Sequence, residues 1–78
     1  MEKLSQDKAA KVRAALAINP TISLTMMTKL AKDPNISVRV ALAKNHNLNR
    51  VVMSQLKKDE ADTVRNELFR THAKFLRK

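Results

Sequence analysis

The sequence predicts an all-α fold of three stacked helix pairs, and three observations carry that prediction. Val12-Arg13, Val38-Arg39 and Val64-Arg65 recur at an offset of 26 residues. The same offset joins Asp7, Asp33 and Asp59, then Leu4, Leu30 and Leu56, then Leu16, Leu42 and Leu68, and also Met1, Met27 and Met53. A period in this range marks an array of stacked supersecondary units. Glycine is absent and proline occurs twice, whereas β-rich folds need Gly/Pro turns. Apolar residues fall on one side of helical turns throughout. The units are 1–26, 27–52 and 53–78, forming one domain over 1–78.

The elements follow from the middle of the chain outward. Ile22, Met26, Met27 and Leu30 make a one-sided helix, and Leu48, Val52, Met53 and Leu56 repeat it one unit later. The first of these ends near Lys32-Asp33. Asp33 then suits an N-cap, with Pro34 in the first turn of the next helix. Val38, Ala41 and Leu42 form that helix's stripe, and Asn45 marks its end, as Asn19-Pro20 does one unit earlier. Each unit is therefore expected to be a helix pair joined by a short turn. One pair cannot bury its apolar faces alone, but three stacked pairs can.

The third copy departs from this pattern. Glu67 stands where Ala15 and Ala41 do, Phe69 where Ala17 and Ala43 do, and Thr71 where Asn19 and Asn45 do. Ala61, Val64, Leu68, His72 and Phe75 keep helical spacing, which predicts one long capping helix over roughly 60–77. Glu67 is expected to supply the polar outer face that a terminal unit needs.

"LAKDPNISVRVALAKN" resembles the variant leucine-rich repeat, a short bacterial α-helical repeat similar in style to HEAT repeats. The likeness runs through Leu30, Ala31, Asp33, Pro34, Val38, Arg39, Leu42, Ala43 and Asn45. The first copy carries it at Asp7, Val12, Arg13, Leu16, Ala17, Asn19 and Pro20, and the third at Leu56, Asp59, Val64, Arg65 and Leu68. The resemblance implies a right-handed α-solenoid. It names an architecture and no activity. The Cys-rich iron–sulfur segment of some relatives has no counterpart, because the chain has no cysteine. In HEAT-like repeats an Asp and an Arg six residues later form a hydrogen-bonded ladder between units. By that resemblance Asp7, Arg13, Asp33, Arg39, Asp59 and Arg65 are structural, a role suited to bidentate Arg–carboxylate geometry; the other reading stacks Arg13, Arg39 and Arg65 as a row that contacts phosphates directly.

The absence of cysteine excludes disulfides and thiolate metal sites. His46 and His72 lack metal-ligand spacing and are assigned to a loop or helix end. No nucleophile–base set, carboxylate pair or glycine-rich phosphate loop is present. The chain is read as non-enzymatic, with no cofactor, no metal and no small-molecule substrate. The apolar runs are short, so no membrane span is expected. Met1-Glu2-Lys3-Leu4-Ser5 lacks the apolar core of a signal peptide, making a bacterial-type cytoplasm the expected compartment.

Sixteen Lys+Arg against seven Asp+Glu give a formal charge of +9. Three Asp–Arg pairs neutralise one another, so the whole excess lies outside the ladder. Lys3, Lys29, Lys32, Lys57 and Lys58 gather at the ends of the first helices, with Lys3 and Lys29 in one repeat row and Lys32 and Lys58 in another. Such a row is either a solvated face whose cations suit helix C-termini or a ridge that tracks phosphates. Tryptophan and tyrosine are absent, so base stacking on aromatic platforms is a poor description of any such contact. A second basic group, Lys44, Arg50, Arg70, Lys74, Arg77 and Lys78, lies partly beside Phe75 and Leu76. That end is either a solvated tail or a surface for a partner helix or a membrane face. An anionic partner, DNA/RNA or an acidic protein, is expected. The leading reading is a basic helical-repeat module that binds nucleic acid through phosphates without sequence specificity. The alternative is a protein–protein adaptor that docks an acidic partner or self-associates, with a homodimer through the C-terminal helix as one form.

Overall fold

The computed structural model describes the backbone of residues 2–73 and the side chains of 9–73. Among these residues the chain is all-helical. The five helices are α1 (Glu2–Ala17), α2 (Leu24–Ala31), α3 (Ile36–Ala43), α4 (Arg50–Lys57) and α5 (Asp62–Thr71). They form two layers. α1, α3 and α5 pack in succession as one row, and α2 and α4 lie side by side as the other, with α2 against α3 and α4 against α5. The body measures 46 × 26 × 15 Å.

The seam between the layers is apolar. Val38, Leu42, Val52, Leu56, Val64 and Leu68 are fully buried there, joined by Met27, Leu30 and Met53. Met26 and Ile22 are half-buried beside them. These are the stripes that the helical spacing picks out.

Three local expectations are corrected. The break expected near Asp7 is absent, and α1 runs through it. The second unit breaks at Asp33-Pro34-Asn35, where proline excludes the preceding residue from helical backbone. The first unit has Lys8-Ala9-Ala10 instead, all good helix formers. Asp33 is also not the N-cap. Asn35 is, its side-chain oxygen accepting the Ser37 N–H at 2.8 Å. Asp33 sits two residues earlier and closes the turn by accepting the Asn35 N–H at 2.9 Å. The third correction concerns the last helix. The longest described helix is α1, with 16 residues, and α5 ends at Thr71 after 10. His72 leaves helical geometry (φ −118°, ψ 31°) as its ring turns into the body of the protein. Lys74, Phe75, Leu76, Arg77 and Lys78 lie outside the described residues.

The other caps are polar side chains at loop ends. Ser23 caps α2 through Met26 N–H, and Asn49 caps α4 through Val51 N–H. Ala61 precedes α5 without a side-chain cap, and the Asp59 carboxylate holds that turn by accepting the Ala61 N–H at 2.9 Å.

Successive units are tied at two levels. At one, Arg13 Nε donates to Asp33 Oδ2 at 2.5 Å, and Arg39 Nε donates to Asp59 Oδ2 at 2.8 Å. Each arginine thus reaches the aspartate of the following unit. Arg39 Nη1 also donates to the backbone carbonyl of Asp33 in its own unit, and Arg65 Nη1 does the same to the carbonyl of Asp59. At the other level Asn45, buried to 1% exposure, donates from Nδ2 to the carbonyls of Ala17 (2.7 Å) and Asn19 (3.0 Å). Asn47 Nδ2 adds a bond to the Pro20 carbonyl at 2.8 Å. Sequence reasoning placed Asn45 at a helix end. Among the described residues none has positive φ, so the amide, not the backbone, explains this asparagine.

Substituting Asn45 removes the side-chain donor from the buried Ala17 carbonyl, while the Asn19 carbonyl keeps the Ile22 N–H at 3.3 Å. Asn45→Ala is expected to lower stability by about 1–3 kcal/mol, while exposed Asn47→Ala stays within about 1 kcal/mol. Urea midpoints of the two variants check this, and equal midpoints would contradict it.

Candidate functional site

Four of the basic residues singled out in the sequence lie on the α2–α4 layer, whereas Lys44 caps α3 and Arg70 lies on α5. Lys29 lies in the last turn of α2 and Lys57 in the last turn of α4, while Lys32 and Lys58 are the two C-caps. All four are exposed. The C-cap backbone N–H groups turn back onto the helix, that of Lys32 to the Leu30 and Lys29 carbonyls and that of Lys58 to those of Gln55 and Leu56. Cations at these positions also offset the negative end of each helix dipole. The Lys3 side chain, and with it the Lys3–Lys29 row, lies outside the described residues, as does the Asp7 side chain.

The structure brings Lys32 and Lys58 to one shallow depression of about 400 Å³, with Gln55, Asp59 and Glu60 on its rim and Ala31 and Arg39 in its wall. Lys29 and Lys32 border a second depression of about 390 Å³ with Leu24, Thr25 and Thr28. Lys32 therefore joins the two, and Lys57 lines neither. Sequence reasoning missed the neutral hydrogen-bonding groups, Thr25, Thr28 and Gln55. Gln55 shares the register of Lys29, 26 residues apart, but nothing in that register marks it or the two threonines as neighbours of the lysines. Thr28 has committed its hydroxyl proton to the Leu24 carbonyl at 2.9 Å.

Acids are scarce on this layer. Neither α2 nor α4 contains an Asp or Glu. Asp59 borders the first depression, but its carboxylate is held by Arg39, with side chains 10% and 7% exposed. Arg39 is likewise taken up by Asp33 and Asp59. The exposed lysines are thus the groups that can meet an anion, and the buried Arg–Asp pairs fix the surface that carries them.

The arginines differ along the row. Arg13 is one-third exposed while its Asp33 partner is buried. Arg65 pairs with Asp62, three residues before it in its own helix. Asp62 occupies the register of Ala10 and Ile36. Glu67, expected as the polar cap, is half-buried with its carboxylate near the Thr71 hydroxyl at 3.4 Å. The exposed end face of α5 carries Asp62, Asn66 and Arg70 instead, interrupted by Phe69.

The two histidines have parted roles. His46 is exposed, whereas His72 is buried and its Nε2 lies 3.0 Å from the Ala43 carbonyl. A carbonyl only accepts, so Nε2 carries the proton. Ala43 is the repeat equivalent of Ala17, so His72 serves the second junction as Asn45 serves the first. Among the described residues no three His, Asp or Glu side chains form a group placed for a metal ion. No helix among them is long and apolar enough to cross a membrane. Comparison with protein-family models, with curated proteins and with solved structures finds no match for this chain.

Burial pushes the His72 imidazole below its ordinary value of 6.5, and the nearby His46 pushes the same way, against hydrogen bonds to the Ala43 and Asn45 backbone. The folded state therefore favours neutral His72. Its contribution is complete above the ordinary value and is lost as pH falls from there toward the lowered folded value. Between about pH 7.5 and about pH 5 the urea midpoint of wild type is expected to fall more than that of His72→Gln. A midpoint difference between the two proteins that does not change with pH would contradict the assignment.

Proposed function

We propose that the chain is a non-catalytic helical-repeat binding module that engages the phosphates of nucleic acid through the α2–α4 layer. In this reading the two rows are a three-unit right-handed α-solenoid of the variant leucine-rich repeat kind. The Arg13–Asp33 and Arg39–Asp59 pairs, each spanning 20 residues, support it as equivalent bonds between equivalent units. The observation that carries the binding function is the acid-free pair of helices bearing exposed Lys29, Lys32, Lys57 and Lys58.

The ammonium groups sit on long flexible stems and extend past the helix ends. They meet phosphates as point charges, without the bidentate geometry of arginine. Point-charge contacts to phosphates carry no base information, so affinity derives from counterion release and sequence preference is weak. Leu24 and Val51, both exposed on the same layer, favour a second reading, an adaptor for an acidic protein whose apolar contacts would fall between the lysines.

A mobility-shift titration on a duplex at several salt concentrations separates these readings. Four phosphate contacts give a log–log salt slope near −3.6, from about −0.9 per phosphate. Changing Lys29, Lys32, Lys57 and Lys58 together to Gln is expected to abolish most of that slope while circular dichroism stays helical. Absence of any shift by wild type at low salt would remove nucleic acid as the partner. Capture of a protein that survives nuclease treatment would favour the adaptor.

A further inference from the structure

The row of α1, α3 and α5 has two different sides. Arg13 and Ala17 face the following unit, as shown by Arg13 on Asp33 and by Asn45 on the Ala17 carbonyl. Arg39 and Ala43 do the same, through Asp59 and His72. The register of Val12 faces the other way. Val38 and Val64, each with a preceding helix in the row, are 0% exposed, while Val12 on α1, with none, is 69% exposed. At the far end Phe69 occupies the register of Ala17 and Ala43, both 0% exposed, yet is itself 50% exposed. Each end of the described row thus presents an apolar residue whose equivalents are buried.

We propose that these ends are the two halves of one joint, through which copies of this chain stack head to tail, α5 of one copy against α1 of the next. The occupant follows from continuity with the junctions inside the chain. There, the side that carries Arg39 and Ala43 meets the next helix in the row, whose Val64 is buried. The copy-to-copy joint puts the Arg65–Phe69 side against the Val12 side in the same order. Ala15, exposed on α1 near Val12, leaves space for the phenyl ring that replaces alanine. Arg65 is already paired with Asp62, so the joint buries no uncompensated guanidinium. Such a contact uses different patches on the two copies, so it is heterologous and extends rather than closing as a symmetric dimer.

The net charge of +9 opposes stacking. Salt screens that repulsion, with a Debye length of about 8 Å at physiological ionic strength. Self-association is therefore expected to strengthen with salt, the reverse of phosphate binding, so failure of either reading is distinguishable from failure of the other.

Sedimentation velocity on wild type, Val12→Glu and Phe69→Glu tests the joint, over concentrations up to roughly millimolar and at two salt concentrations. Both residues are exposed, so the variants should fold. If either fails by circular dichroism, Val12→Gln and Phe69→Gln replace them. Wild type is expected to form a concentration-dependent series of species, and each variant alone to associate at least about tenfold more weakly. An equimolar mixture of the two variants restores one intact joint and is expected to give a 1:1 complex that grows no further. Wild type that stays monomeric throughout would overturn the proposal. So would a Val12→Glu protein that still dimerises, since that places the contact on α5 alone. A variant mixture that stays monomeric would overturn it as well.

Discussion

The arrangement depends on what one arginine does. Arg39 holds the Asp33 carbonyl of its own unit with Nη1 and the Asp59 carboxylate of the next with Nε. The same Asp59 carboxylate accepts the Ala61 N–H and so shapes the turn into α5. A single guanidinium therefore fixes one turn, the next turn and the distance between them. Because both charges are largely buried, the pair is worth keeping only if every lone pair and proton is used. Among the described residues no buried side-chain polar atom lacks a partner.

That constraint explains how the surface is organised. The ladder aspartates are spent on arginines and on turn amides, so they add little negative charge to the α2–α4 layer. The lysines at the ends of α2 and α4 are left to face solvent. The α1–α3–α5 row packs beneath α2 and α4 and so sets where these helix ends lie. The asparagine and histidine bonds at the opposite ends of α1 and α3 keep the row from splaying.

Much of this was legible in the sequence, and the misses have identifiable causes. The 26-residue offset and the apolar stripes placed α2, α3, α4, the start of α5 and most of the core. Spacing alone did not reveal that Asp33 closes a turn while Asn35 caps the helix, because both residue types suit either task. The repeat suggested a break near Asp7, but the backbone there follows Lys8-Ala9-Ala10 and stays helical. His72 sits in the register of Pro20 and His46, so it looked like a loop residue. Only the fold shows that it stands in for an asparagine. The lysine positions could be read from the register, but the neutral groups between them needed the packing of α2 against α4. The exposure of Val12 and Phe69 was hidden for the same reason that the repeat was visible: register equates residues whose neighbours differ at the ends of an array.

The central claim is that the arginine and the aspartate of successive units act as one coupled element. A double-mutant cycle on Arg39→Met and Asp59→Asn, read by urea denaturation, tests it most directly. Each single variant leaves a buried charge without its partner and is expected to cost on the order of 3–5 kcal/mol. The double variant is expected to cost much less than the sum, with a coupling energy of at least about 1 kcal/mol. Additive single effects would contradict the claim.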